Sequence, residues 1–144
     1  SLKWMLDVVD ADIVNPILDE LFLAHIGDEE AVFGTIHLSR SEIEYLLDQG
    51  MVVGVHGYSH RKLGLMSFKE QEGEIMKSAA GIRELIGACP LHMSYPLGSY
   101  NPLTTRLLEK HNYCTGLTTR KHRNLETTPR YELGRFDCID RDAF

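Results

Sequence analysis

Apolar residues recur at helical spacing in several stretches of the chain, and short unbroken apolar runs lie between them. Ile17, Leu18, Leu21 and Phe22 form a stripe after Asn15-Pro16, where Pro16 suits a first helical turn, and Gly27 supplies a stop. Residues 1–30 therefore read as mainly helical. Ala31 to Ile36 is short and apolar and reads as strand or loop. Ser39-Arg40-Ser41-Glu42 is a capping box, in which Ser39 caps the backbone and Glu42 reaches back. It opens a helix with Ile43, Leu46 and Leu47 on one face that ends before Gly50. Met51-Val52-Val53-Gly54-Val55 is short, continuous and rich in β-branched residues, the signature of a buried strand, and it stops at His56-Gly57. A second capping box, Ser67-Phe68-Lys69-Glu70, starts the longest helix. That helix runs to about Ile86, with Ile75, Met76, Ala79, Ile82, Leu85 and Ile86 facing the core, and Gly87 ends it. A short strand from Leu91 to Ser94, the turn Pro96-Leu97-Gly98-Ser99 and a helix opened by Asn101-Pro102 follow, the helix reaching about His111. Tyr113 to Leu117 reads as a strand, residues 118–130 as a polar loop, and Glu132 to Cys138 as a last strand.

This alternation of helices and strands predicts an α/β architecture with a mostly parallel sheet. In such sheets function collects beyond the C-terminal ends of the strands. A length of 144 residues suits a single domain over 1–144. No run approaches the roughly 20 apolar residues of a membrane span, and no signal peptide is visible. The formal charge of −6 argues against a nucleic-acid partner. The basic cluster Arg120-Lys121-His122-Arg123 reads as a solvated loop or, more sharply, as a contact for an anionic ligand. Cys89, Cys114 and Cys138 are widely separated and form no Cys-x-x-Cys, so they read as small buried free thiols. That usage points to a reducing, cytoplasmic setting.

Three segments at strand ends carry candidate chemistry. His56-Gly57-Tyr58-Ser59-His60 sets two imidazoles four residues apart, where both can meet one metal ion. The spacing alone favours two surface or capping histidines, and the position at a strand end shifts the balance toward metal ligands. Ser94-Tyr95-Pro96-Leu97-Gly98-Ser99-Tyr100-Asn101 follows a short strand. A turn there can aim backbone N–H groups into a cleft as an oxyanion site requires, and Tyr95 and Tyr100 are candidate stacking surfaces for sugar. The bland alternative is an ordinary strand-to-helix turn. In Leu133-Gly134-Arg135-Phe136-Asp137-Cys138, either Arg135 or Asp137 can point into a site, or the two can form an exposed ion pair.

In order and approximate spacing, these segments resemble the polysaccharide deacetylases of carbohydrate esterase family 4, the NodB-homology domain. The stretch from Asp48 to His60, the capped helix from Ser67, the turn from Ser94 to Asn101 and the closing Glu132-Leu133-Gly134-Arg135-Phe136-Asp137 carry the likeness, over about residues 38 to 140. The resemblance implies a partial or distorted (β/α) barrel of the deacetylase type, with the first strands absent. It implies a metal-dependent hydrolase that removes N- or O-acetyl groups from an acetylated carbohydrate. It further implies a divalent metal, commonly Zn2+, held by His56 and His60. The backbone N–H of Leu97 would contact the oxyanion, and Tyr95, Pro96 and Tyr100 would line the substrate.

The chain also departs from that pattern. It shows no Asp-Asp pair on a first strand to supply a base and the third ligand, and Asp10-Ala11-Asp12 is the nearest substitute. Ser94 stands where many members have arginine, Leu97 where many have an aromatic residue, and Gly57 where Ser or Thr is usual. Arg135 occupies the segment that often supplies a late histidine, so the general acid is unassigned. Two readings follow: a deacetylase domain impaired in this form, or a non-catalytic domain of the same fold that binds carbohydrate or protein. An unpaired barrel edge favours pairing with a second chain, so a homodimer is expected.

Overall fold

The computed structural model describes residue 9 and residues 11–137. The chain divides into two compact units, Ser1–Ile43 and Glu44–Phe144. In the first, helix α1 spans Ala11–His25 and helix α2 spans Glu29–Ile36. Helix α1 does not begin at Asn15-Pro16 as the sequence suggests; it starts a turn earlier and runs through Pro16. A proline this near the start forfeits only the bond to the carbonyl of residue 12, which the rest of the ladder tolerates. Val14 is buried, while Ile17 and Leu21 of the expected stripe are exposed. Ala31 to Ile36 is neither strand nor loop but part of α2. Asp28 caps it by accepting from the Glu30 N–H at 2.9 Å, and Glu29 and Glu30 favour its positive end.

Helix α3, Arg40–Asp48, carries the chain into the second unit. Its capping box forms: the Ser39 N–H donates to Glu42 Oε2 at 2.7 Å, and the Glu42 N–H donates to Ser39 Oγ at 3.3 Å. Gly50 then turns the chain with φ +80°, which a side chain would resist. The predicted strand over 51–55 reduces to one residue. Val55 bridges Met93 in parallel, donating to His92 O and accepting from Ser94 N, both at 2.9 Å. Met51 and Val52 are 59% and 72% exposed, so this run does not have the two covered faces that its apolar pattern implies.

The rest of the second unit follows the sequence closely. A 3-10 turn at Leu63–Leu65 leads to helix α4, Phe68–Ile86, with the Ser67–Glu70 capping box complete and Gly87 left-handed at its end. Strand β1 is His92–Ser94, a 3-10 turn covers Pro96–Gly98, helix α5 is Pro102–Lys110 and strand β2 is Thr115–Leu117. β1 and β2 are parallel in the register His92↔Thr115 to Ser94↔Leu117. Leu117 bridges Leu133 in parallel, which is all that forms of the predicted closing strand among the described residues; Cys138 lies outside them. The order across this ribbon is Val55, β1, β2, Leu133, all parallel.

Its core joins Val55, Leu63, Ile75, Met93, Leu107 and Leu108 with three tyrosines, Tyr95, Tyr113 and Tyr131. Met76, assigned to the core by helical spacing, is 39% exposed. The face of α4 turned inward is instead Gln71, Glu74 and Ile75, with Ala79 and Ile82 packed behind. Cys89 and Cys114 are free thiols but exposed rather than buried, because both fall just outside the strands that they border. Among the described residues, no helix is long and apolar enough to cross a membrane.

Candidate functional site

Val55 and Met93 lie side by side on adjacent parallel strands, so the segments leaving them emerge at the same end of the ribbon. His56 follows Val55 directly, and its Nδ1 lies 2.7 Å from the carbonyl oxygen of Ser94 at the end of β1. A carbonyl can only accept, so a hydrogen sits on Nδ1, which in the neutral ring leaves the lone pair on Nε2. That is the tautomer in which Nε2 can ligate a metal. The His60 ring packs edge-on against His56, centroids 5.0 Å apart at 63°. His60 itself has φ +56°, a left-handed backbone uncommon outside glycine.

The intervening loop is tightly placed. Gly57 has φ +77°, and a Cβ there would sit 3.0 Å from Pro96 Cγ. The two loops touch at this point, which leaves little room for the Ser or Thr usual at this position in the deacetylases that the sequence resembles. The Tyr58 and Ser59 N–H groups both donate to Glu74 Oε2, at 3.0 and 2.8 Å, and Ser59 Oγ donates to Glu74 Oε1 at 2.8 Å. Glu74 comes from the buried face of α4.

The second segment turns sharply after β1. Leu97 adopts φ 54°, ψ 19° and is 50% exposed. The turn's two backbone bonds, Gly98 N to Tyr95 O and Ser99 N to Pro96 O, both 2.9 Å, do not use the Leu97 N–H. Asn101 caps α5 by accepting from the Leu103 and Thr104 N–H groups, and its Nδ2 donates to Gly64 O at 3.0 Å. Ser99 Oγ accepts from the Gly64 N–H at 3.2 Å. The turn that follows the histidine loop therefore fastens the tyrosine-rich turn as well.

Two expected substrate contacts are corrected here. Tyr95 is fully buried, and its hydroxyl donates to Tyr131 O at 2.7 Å. Its ring stacks on Tyr100, centroids 4.7 Å apart, so it supports the site from inside the core rather than offering a face to sugar. Pro96 is buried against Gly57. Tyr100 is partly exposed, with its hydroxyl on Glu132 at 3.1 Å and the Arg120 guanidinium over its ring at 5.5 Å. Burial, reinforced by Tyr100 and Glu132, pushes the Tyr95 phenol far up, and burial then the Glu132 bond raises Tyr100. Neither is a proton donor tuned to neutral pH.

Of the third segment, Arg135 and Asp137 have exposed side chains, and the Arg135 N–H donates to Arg120 O at 3.1 Å. Of the basic cluster, Arg120 pairs with Glu132 at 3.4 Å. Among the described residues, no group of three His, Cys, Asp or Glu gathers as a metal cluster. Asp10 and the side chain of Asp12 lie outside those described. The donor set nevertheless fits two positions of a divalent-metal centre: two adjacent imidazoles, one with its tautomer fixed. Sequence reasoning missed Glu74 and the Ser94 carbonyl. The signal for Glu74 was its place between Gln71 and Ile75 on the inward face of α4.

Residues 23–116 match the polysaccharide deacetylase family. A peptidoglycan deacetylase of Helicobacter pylori is 32% identical over 79 residues, 55% of this chain and 27% of the relative. Among solved structures, the Streptococcus pyogenes deacetylase PplD in complex with acetate superposes with a TM-score of 0.65 at 23% identity, covering 69% of this chain and 44% of that one. A polysaccharide deacetylase from Bacillus cereus superposes with a TM-score of 0.58 at 22% identity, covering 68% and 31%. The match thus reaches just over a quarter of the curated relative, and the parallel ribbon with its covering helices is part of the barrel these structures share. Because the family match spans the histidine loop, α4 and the tyrosine-rich turn, more than half of the chain, this chain belongs to the polysaccharide deacetylase family.

Proposed function

We propose that this chain carries the histidine half of a divalent-metal site in a hydrolase that removes N- or O-acetyl groups from a carbohydrate. The observation that carries the reading is the Nδ1 bond of His56 to the Ser94 carbonyl, which turns Nε2 into a lone-pair donor beside the His60 ring. His56 and His60 would hold the ion. Zinc suits imidazole ligands, and such an ion supplies a polarising charge at the acetyl carbonyl and a bound water of lowered pKa. The Leu97 N–H, unused by the two backbone bonds of its turn, would donate to a developing oxyanion. Tyr100 is the one aromatic ring of this turn with exposed surface for a sugar. Among the described residues no carboxylate completes the pair; two imidazoles alone bind metal less tightly and activate water poorly, so slow turnover is expected of this arrangement.

The test is acetate release from N-acetylglucosamine oligomers. The expected result is slow, zinc-dependent release that chelation removes and that His56→Ala and His60→Ala both abolish. Release indifferent to zinc and to both histidines would overturn the assignment. Retention of the oligomers without any release of acetate would instead make this a carbohydrate-binding relative of the deacetylases.

A further inference from the structure

Glu74 is 9% exposed, and a carboxylate so placed is costly unless its oxygens are bonded. Both oxygens are bonded, and the three donors come from Tyr58 and Ser59, the two residues just before His60. We propose that Glu74 is a positioning residue: it anchors the loop between His56 and His60 and so sets their geometry before a metal ion arrives. This rests on the metal reading given above.

His60 is held at φ +56°, a backbone conformation that L side chains disfavour. Fixing the amides of Tyr58 and Ser59 constrains the chain as it enters that conformation. His56 is fixed from the other side by the Ser94 carbonyl, on β1. The pair is therefore clamped between a helix and a strand. The helix is a firm support, capped at Ser67 and closed at Gly87, with Ile75 beside Glu74 fully buried. An anchored loop spares the ordering that two histidines on a loose turn would undergo on binding, and this shows as affinity. Partners that orient metal ligands from outside the ligand set usually contribute about 10–100-fold in metal affinity.

The test is zinc titration of the chain by calorimetry, with thermal melting of the metal-free protein alongside. Glu74→Ala is expected to lower zinc affinity about tenfold. Glu74→Gln, whose amide oxygen can accept from both backbone donors, should restore most of it. Hydrogen exchange of the metal-free protein should show the Tyr58 and Ser59 amides protected in the wild type and open in Glu74→Ala. Should Glu74→Ala fail to fold, Ser59→Ala removes the hydroxyl bond alone and should still lower affinity, by a smaller factor, at unchanged melting temperature. Wild-type zinc affinity in folded Glu74→Ala, or in Ser59→Ala where only that variant folds, would overturn the positioning role, provided His56→Ala and His60→Ala both lose binding. Zinc binding indifferent to both histidines would overturn the metal reading and this role together.

Discussion

Replacing Tyr95 by Phe separates a core residue from a substrate contact. The change removes one oxygen and keeps the ring, its stack on Tyr100 and nearly all its volume. What is lost is the 2.7 Å bond to Tyr131 O, which is buried at both ends. The bond itself is worth about 1 kcal/mol net, and a buried carbonyl left without its donor costs about 1–3 kcal/mol, so a loss of about 2 kcal/mol is expected. With a urea slope of about 1.5–2 kcal/mol per molar for a chain of this size, the unfolding midpoint should fall by about 1 M at unchanged slope. Circular dichroism in urea reads this directly. Tyr100→Phe serves as the contrast: its hydroxyl bonds the half-exposed Glu132 at a longer 3.1 Å and leaves no buried carbonyl unpaired, so losing it should cost about 1 kcal/mol. Oligosaccharide affinity should be unchanged in Tyr95→Phe. Wild-type stability in that variant, or weakened sugar binding at full stability, would refute the placement of Tyr95 in the core.

Gly57→Ala forces a side chain into φ +77° and against Pro96 at 3.0 Å. It should cost about 1–3 kcal/mol in urea unfolding and weaken zinc binding, and a neutral result would contradict both the left-handed backbone and the contact with Pro96. The Ser67 hydroxyl and then the Ser67 backbone N–H hold the Glu70 carboxyl below its ordinary value. Its folded-state pKa is depressed, so its contribution is present above the unfolded value and is lost as pH falls through the folded one. The gap in melting temperature between wild type and Ser67→Ala should therefore narrow from neutral pH down to about pH 3; a gap independent of pH would contradict the capping box.

Local rules made most of the second unit legible. The box at Ser67–Glu70, the stop at Gly87 and the Asn101-Pro102 start all form where their residue types place them. The parallel pairing of β1, β2 and Leu133 follows from the alternation of elements. Hydrophobicity misled wherever burial fell on polar groups. Gln71 and Glu74 occupy the inward face of α4 because each finds partners there: Gln71 on Met66 O and Thr104, Glu74 on the histidine loop. Met76 is left outside as a consequence. Tyr95 misled in the opposite sense, since a tyrosine beside a turn looks available until its hydroxyl finds a carbonyl in the core. Met51 to Val55 carries a strand pattern, but pairing needs neighbours and only Val55 has one among the described residues. Of the candidate site, the histidine pair was legible from spacing and placement. The Ser94 carbonyl and Glu74 that orient it were not, because a backbone oxygen 38 residues away leaves no mark in sequence.

A prepared pair of metal ligands at His56 and His60, as proposed, can be read from nitrogen–proton correlation spectra of the histidine side chains, recorded before and after one equivalent of zinc. His56 should carry its proton on Nδ1 before any metal is added, and zinc should shift the His56 Nε2 and one ring nitrogen of His60 together. A neutral His56 protonated on Nε2 in the metal-free protein, or zinc that leaves both rings unshifted, would overturn the pairing.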